Sequence, residues 1–212
     1  MNLLCLPRIY PIIDDTYIPY DRMEETAQAL IDGGARILQL RGKDISSAEL
    51  LMAARSIARL TKKEDVIFIV NDRIDIALFS NADGVHIGQD DMPVLVARKL
   101  LGREKIIGFS THSVKEAVAA EKLPVDYISF GPLFTTKSKK DAEEPKEVKV
   151  LTEVSSSVEI PIVAIGGIGG ERIGEVLRSG ANSVAMISDI LSATDIKGKM
   201  KHLMAMSEEQ HG

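Results

Sequence analysis

Eight short apolar runs, rich in β-branched residues, recur at residues 8–13, 36–40, 66–70, 84–87, 105–109, 126–130, 161–165 and 183–186. Between them lie stretches with helical spacing of apolar positions, among them 23–32, 48–60, 93–101 and 114–121. Apolar runs unbroken by polar alternation and separated by amphipathic helices predict a parallel sheet covered by helices. Eight such repeats fit a closed (β/α)8 TIM barrel better than a doubly wound sheet, which usually has about five or six strands. Gly33-Gly34, Gly102 and Gly180 stand where helix C-caps are expected. Nothing resembling a linker interrupts the pattern, so one domain over 1–212 is expected, with a last helix beginning near residue 193. The polar stretch 135–149 follows a predicted strand and reads as a βα loop.

Composition adds exclusions. A chain of 212 residues can bury one sizeable core and lies near the lower limit for an eight-fold barrel. Hydrophobic residues at 45% and charged residues at 27% suit a soluble globular protein. A formal net charge of -5 argues against a nucleic-acid partner, yet a few placed cations can still hold a small anion. Cys5 is alone, so no internal disulfide forms, which fits a reducing compartment. The start, Met1 to Pro7, is apolar but short and lacks a basic leader, which argues against a signal peptide. No window approaches the roughly 18 to 20 apolar residues of a membrane span, so the expectation is a cytoplasmic protein without membrane contact.

In a barrel of this kind, chemistry belongs at the C-terminal ends of the strands. After the second run, period-two alternation puts Gln39, Arg41 and Lys43 on one side if the extended conformation continues. An amide and two cations there suit a polyanion, with Arg gripping phosphate in a fork and Lys acting as a point charge. A solvated strand end with salt bridges is the plainer alternative. The third run ends in Asn71-Asp72 and the fourth leads through His86 and Gln89 into Asp90-Asp91. Carboxylates on neighbouring strands facing cations suit Mg2+, which takes one or two carboxylates, water and phosphate oxygens. Asp90 or Asp91 also suits the cap of the helix that begins near Pro93, and both roles can hold, one carboxylate capping and the other coordinating.

Ser110 and His112 follow the fifth run, and His112 is either a general base or a surface residue at a helix start. Hydroxyls and lysines alternate from Thr135 to Lys140 after the sixth run, as in a phosphate loop or a solvated one. Gly166-Gly167 after the seventh run and Ser188 after the eighth read as a monophosphate cradle, since glycines let backbone N–H groups approach an anion and a helix N-terminus adds its dipole. A Rossmann fingerprint does not fit, because no ribose-binding acid follows at the required spacing.

Taken in order, these segments resemble the thiamine phosphate synthase family from residue 9 to about 191. The motifs are Gln39-x-Arg41-x-Lys43, Val70-Asn71-Asp72, Gly84 through Asp91, Gly131-Pro132 through Thr136-x-Ser138-Lys139, and Ile165-Gly166-Gly167-Ile168. The resemblance implies a transferase of thiamine biosynthesis that joins hydroxymethylpyrimidine diphosphate to thiazole phosphate and releases pyrophosphate. It implies Mg2+ on Asp72 and Asp91, and Arg41, Lys43, Ser110 and Lys139 as the catalytic set. Arg41, Lys43, Asn71 and Lys139 match diphosphate contacts, and Gln39 with Ser110 match positions near the pyrimidine. Thr136, Ser138, Gly167, Ile187 and Ser188 match the thiazole phosphate cradle. This chain departs from the family's usual residues at Thr135, commonly proline, and at Ser138, commonly threonine.

Two rivals remain at this point. A thiazole tautomerase of the same ancestry needs a proton shuttle, for which His112 is the candidate, and has no pyrophosphate to stabilise. A silent phosphate-binding barrel would keep the glycine cradle and lose the carboxylates, which are present here. The sequence leaves the oligomeric state open, with a homodimer as the pairing barrels of this size often adopt.

Overall fold

The architecture follows from how each strand divides its side chains between two faces. In the computed structural model, which describes residues 4–136 and 144–208, eight parallel strands close in sequence order. They are β1 Ile9–Asp14, β2 Ile37–Arg41, β3 Ile67–Asn71, β4 Gly84–Ile87, β5 Ile106–Thr111, β6 Tyr127–Phe130, β7 Ile162–Ala164 and β8 Ser183–Met186. β1 pairs with both β2 and β8, so the sheet has no edge. The predicted barrel is observed, and every predicted run coincides with a strand to within one or two residues.

Alternate residues face opposite ways along a strand. Ile9, Ile13, Leu38, Leu40, Phe68, Val70, Val85 and Ile107 belong to the outer core between sheet and helices. Tyr10, Ile12, Ile37, Ile69, Tyr127, Val163 and Ala185 form a second, smaller core that plugs the inside of the barrel. Two strand positions inside have no side chain, Gly84 and Gly108. A Cβ at Gly108 would collide with the ring of Tyr127 and with His86 Nδ1, so those rings occupy the volume this glycine leaves.

Helices cover the outside: α1 Met23–Asp32, α2 Ser47–Lys63, α3 Ile74–Ser80, α4 Val94–Leu101, α5 Val114–Ala120, α6 Val148–Ser157, α7 Ile173–Arg178, α8 Ser188–Leu191 and α9 Ile196–Glu208. α2 shows why they form where they do. Ser46 accepts from Glu49 N–H at 3.2 Å while Glu49 accepts from Ser46 N–H at 3.0 Å, a reciprocal cap that fixes its start. Leu50, Ala53, Ala54 and Ile57 then repeat at three and four residues and bury the inner stripe. Each such Leu or Ile removed from water stabilises by about 1.5–3 kcal/mol. The expected C-cap glycines are in place, with Gly34, Gly102 and Gly180 at φ of 104°, 79° and 102°.

Candidate active site at the mouth of the barrel

Eight of the expected residues line one central cavity of about 580 Å³ at the C-terminal ends of the strands: Gln39, Arg41, Lys43, Asn71, Asp72, Asp91, Ser110 and Ile187. Alternation is the cause. Gln39 lies opposite Ile12 and Ile69, two residues of the inner core, so Arg41 two positions on also faces inward. Lys43 sits beyond the end of β2 yet reaches the same cavity, where its ammonium pairs with Asp72 across the gap to β3.

Asp72 has φ of +59°, a left-handed conformation that costs a non-glycine residue on the order of 1 kcal/mol or more. Its N–H donates to His86 O at 2.8 Å, which pins the turn and aims the carboxylate at the cavity. There Asp72 meets Asp91. Burial pushes the Asp72 carboxyl up and the adjacent Asp91 adds to that, with Lys43 opposing both. Two carboxylates driven together beside one lysine form an arrangement that a divalent cation relieves. Asp91 Oδ2 accepts from Gly88 N–H at 2.7 Å, whereas Pro93 is the N-cap of α4 with no side-chain cap. The helix-capping alternative for Asp90 or Asp91 is therefore not what the structure shows. Among the described residues no cluster of three or more His, Cys, Asp or Glu could hold a metal by itself, so water and ligand oxygens would have to complete the shell around this pair.

Arg41 is held from behind. Its Nη1 donates to Asp14 Oδ2 at 2.7 Å, and that carboxylate, fully buried, also accepts from Thr16 N–H at 2.9 Å. The floor of the cavity is a chain of buried polar contacts. Gln39 Nε2 donates to the Tyr10 hydroxyl at 3.1 Å, and the Tyr10 and Tyr127 hydroxyls are 3.0 Å apart. Tyr127 lies 3.0 Å from His86 Nδ1, and His86 Nε2 lies 3.0 Å from Ser110 Oγ and 3.3 Å from Ser129 Oγ. Burial raises both phenols well above their ordinary value, so they stay protonated. Sequence reasoning missed Asp14, Tyr10, Tyr127 and Ser129. The signal was present, because Tyr10 and Asp14 fall in one alternation phase of an otherwise apolar run, as do Tyr127 and Ser129.

His112 lines the same cavity. Its Nδ1 is 2.7 Å from Gly131 O, a carbonyl that only accepts, so the proton sits on Nδ1. Its N–H donates to Glu116 Oε2 at 2.7 Å, and Glu116 also takes Gln89 Nε2 at 2.5 Å.

A second, more open cavity of about 750 Å³ adjoins α8 and is lined by Tyr17, Thr135, Thr136, Gly167, Ile168, Gly169, Ser188 and Lys199 among others. It collects Thr136, Gly167 and Ser188 as expected. Ile187 instead lines the central cavity, so the strand-eight end divides its residues between the two. Ser138 and Lys139 lie outside the described residues. Gly167, at φ of +62°, has a further use beyond admitting an anion: a Cβ there would strike the Thr135 carbonyl. Likewise a Cβ at Gly166 would strike Pro132, and the two loops are stitched by Leu133 N–H to Ile165 O at 3.0 Å and Phe134 N–H to Gly166 O at 2.9 Å. α8 has four residues, so the dipole expected there is that of a single turn.

Comparison with known proteins agrees with this geometry. The profile of the thiamine monophosphate synthase family matches residues 9–190. The chain is 43% identical over 203 residues to the thiamine-phosphate synthase of Halalkalibacterium halodurans, covering 96% of each chain. It is 46% identical over 195 residues to that of Lawsonia intracellularis, covering 92% of this chain and 90% of the relative. A solved structure of thiamine phosphate pyrophosphorylase from Pyrococcus furiosus superposes with a TM-score of 0.86 at 35% identity, covering 97% of both chains.

Proposed function

Because the chain belongs to the thiamine monophosphate synthase family, we propose that its barrel mouth joins an aminopyrimidine methyl diphosphate to a thiazole phosphate, forming thiamine phosphate and releasing pyrophosphate. The observation that carries this reading is the meeting of Arg41 and Lys43 with Asp72 and Asp91 in one cavity, with a second cavity beside it.

In the reaction the bond from the pyrimidine methylene carbon to the diphosphate oxygen breaks, and its electron pair leaves with pyrophosphate. The thiazole nitrogen lone pair forms the new bond to the same carbon. An electron-rich aminopyrimidine stabilises the cation between these events, so the protein needs no strong nucleophile. Its task is to stabilise developing negative charge and to align the partners. Arg41, oriented by Asp14, and Lys43 neutralise the departing diphosphate, and Asn71 adds an amide donor. Gln39 and Ser110 hold the pyrimidine edge. Thr136, Gly167 and Ser188 position the thiazole phosphate, Ile187 bounds the central cavity beside them, and Ser138 and Lys139 are taken as further contacts by their match to the family motif. The carboxylates of Asp72 and Asp91 suit Mg2+, which when bound would add positive charge against the diphosphate oxygens.

We place this enzyme in the cytoplasm, and no helix among the described residues is long and apolar enough to cross a membrane. Large exposed apolar side chains gather on α2 to α4 and the turn before α4 (Met52, Phe79, Met92, Leu95 and Leu100), the face on which a second copy would pair. Light scattering of the protein and of Phe79→Asp reads that pairing.

The decisive experiment is pyrophosphate release measured with both substrates and Mg2+. Release that requires all three is expected. Thiazole isomerisation without pyrophosphate would replace the reading with the tautomerase, and ligand binding without any turnover would replace it with a silent barrel.

A further inference from the structure

The buried contacts beneath the cavity have a direction. Gln39 Nε2 faces the Tyr10 hydroxyl and cannot accept, so Tyr10 accepts from Gln39 and must donate its own proton elsewhere. Its neighbour for that purpose is the Tyr127 hydroxyl. Tyr127, having accepted from Tyr10, then donates to His86 Nδ1. A neutral imidazole that accepts at Nδ1 carries its proton on Nε2, which donates to Ser110 Oγ and, at longer range, to Ser129 Oγ. Reversing the Tyr10–Tyr127 bond alone would leave the buried Tyr10 proton facing an amide nitrogen. With Gln39 as it stands, this assignment gives every hydrogen bond of the chain one donor and one acceptor, and buried polar groups are satisfied as a rule. The Gln39, Tyr10, Tyr127, His86 and Ser110 side chains are all under one-tenth exposed.

All five groups line the cavity, and the chain ties together the roles of the two assigned to the pyrimidine, Gln39 and Ser110. With its amide nitrogen turned to Tyr10, Gln39 offers its carbonyl oxygen to the cavity as an acceptor. With Nε2–H of His86 pointing at its oxygen, Ser110 keeps its own proton for the cavity as a donor. We propose that this relay makes Tyr127 a positioning residue that sets specificity, so that the site accepts an aminopyrimidine and rejects the corresponding oxopyrimidine. The inference takes its ligand from the function proposed above, and its direction from the hydrogen bonds alone.

An exocyclic amine donates to the Gln39 oxygen while a ring nitrogen accepts from Ser110. An oxo group in place of the amine would set oxygen against oxygen at Gln39. A glutamine can usually relieve that by turning its amide over. Here the turn would force each bond of the relay to reverse, ending with Ser110 donating inward to His86 and presenting a lone pair to the ring nitrogen. Relief at one end thus creates the same conflict at the other. Specificity arises from a built-in repulsion as well as an attraction.

Two measurements on the full-length protein test this. In the ligand-free enzyme, long-range proton–nitrogen correlation of labelled histidines, with the His86 signal assigned by its loss in His86→Asn, is expected to show the Nε2–H tautomer. An Nδ1–H tautomer would overturn the relay. Second, Tyr127→Phe keeps the ring that fills the space over Gly108 but removes the link between the two ends. The ratio of kcat/KM for the 4-amino diphosphate over its 4-oxo counterpart is expected to fall about tenfold, chiefly through a lower KM for the oxo compound, with competition by Mg-pyrophosphate unchanged. Equal losses with both substrates would mark a merely structural tyrosine and overturn the proposal. Should Tyr127→Phe not fold, Tyr10→Phe breaks the same chain and is read in the same way. If the wild type released no pyrophosphate from the amino substrate, the function reading would fall, and the relay would still be decided by the His86 tautomer.

Discussion

Arg41 reaches the cavity with Asp14 at its back, Nη1 to Oδ2 at 2.7 Å, and the carboxylate of that pair is entirely out of water. The pair spans β1 and β2 and leaves the rest of the guanidinium fork available to an anion. Removing one member of a buried pair strands the other charge, which typically costs about 3–5 kcal/mol. Asp14→Ala is therefore expected to lower stability by that amount in urea unfolding and to raise KM for the pyrimidine diphosphate. A variant within about 1 kcal/mol of the parent would show that Asp14 does not restrain Arg41.

Lys43 and Asp72 meet across the mouth, with Asp91 against the same carboxylate. Asp72→Ala is expected to abolish pyrophosphate release at any Mg2+ concentration. Lys43→Met, which keeps length and loses charge, should lower kcat/KM by about a hundredfold, the scale of losing one preorganised charge contact to a leaving group. Near-normal turnover in Asp72→Ala would sink the metal assignment. Removal of divalent cations with a chelator should stop the reaction reversibly.

Gly167 holds a left-handed backbone against the Thr135 carbonyl, so any Cβ there both strains φ and collides. Gly167→Ala should destabilise by about 1–3 kcal/mol, measured by thermal unfolding. Its kinetic effect should fall on the thiazole phosphate: KM for that substrate rises several-fold while KM for the pyrimidine diphosphate stays put. The opposite split would detach this loop from the acceptor phosphate.

Glu116 gathers the β4 and β5 loops by accepting from His112 N–H and from Gln89. Partial burial would raise its carboxyl, but the His112 and Gln89 donors outweigh that and hold it below the ordinary value of 4.5. A lowered folded value means the stabilisation is present above about pH 4.5 and is lost as pH falls through the lower one. Wild type should therefore melt higher than Glu116→Gln near pH 7, and the gap should close as pH falls through the lowered value. A gap that does not change with pH would show that the charge of Glu116 is not what ties the loops.

The barrel was legible from spacing because parallel strands buried on both faces leave unbroken apolar runs, such as 66–70, that few other arrangements produce. Gln39, Arg41 and Asn71 were legible because charge or amide at a strand end is conspicuous, Ser110 only through the family motif, and alternation carried them to one cavity. Asp14 was not, since its partner Arg41 is 27 residues away and only the β1–β2 register brings them together. Tyr10 and Tyr127, 117 residues apart, look like core aromatics in sequence; their hydroxyls acquire meaning only when the closed barrel points them at each other. Asp90 and Asp91 read as helix cap, ligand or one of each, and the turn of Asp91 back to Gly88 N–H takes it out of the capping role.

Gly108 cedes its side-chain space to the rings of Tyr127 and His86, and that concession ties their codons together. A larger residue at 108 has nowhere to go while Tyr127 is in place, and a smaller residue at 127 opens a hole that only a larger 108 refills. A side chain at 108 should therefore be tolerated only when both Tyr127 and His86 give way. In this barrel the depth of the chamber under the ligand is an inherited triplet, and anyone seeking to reshape it must edit β4, β5 and β6 in the same stroke.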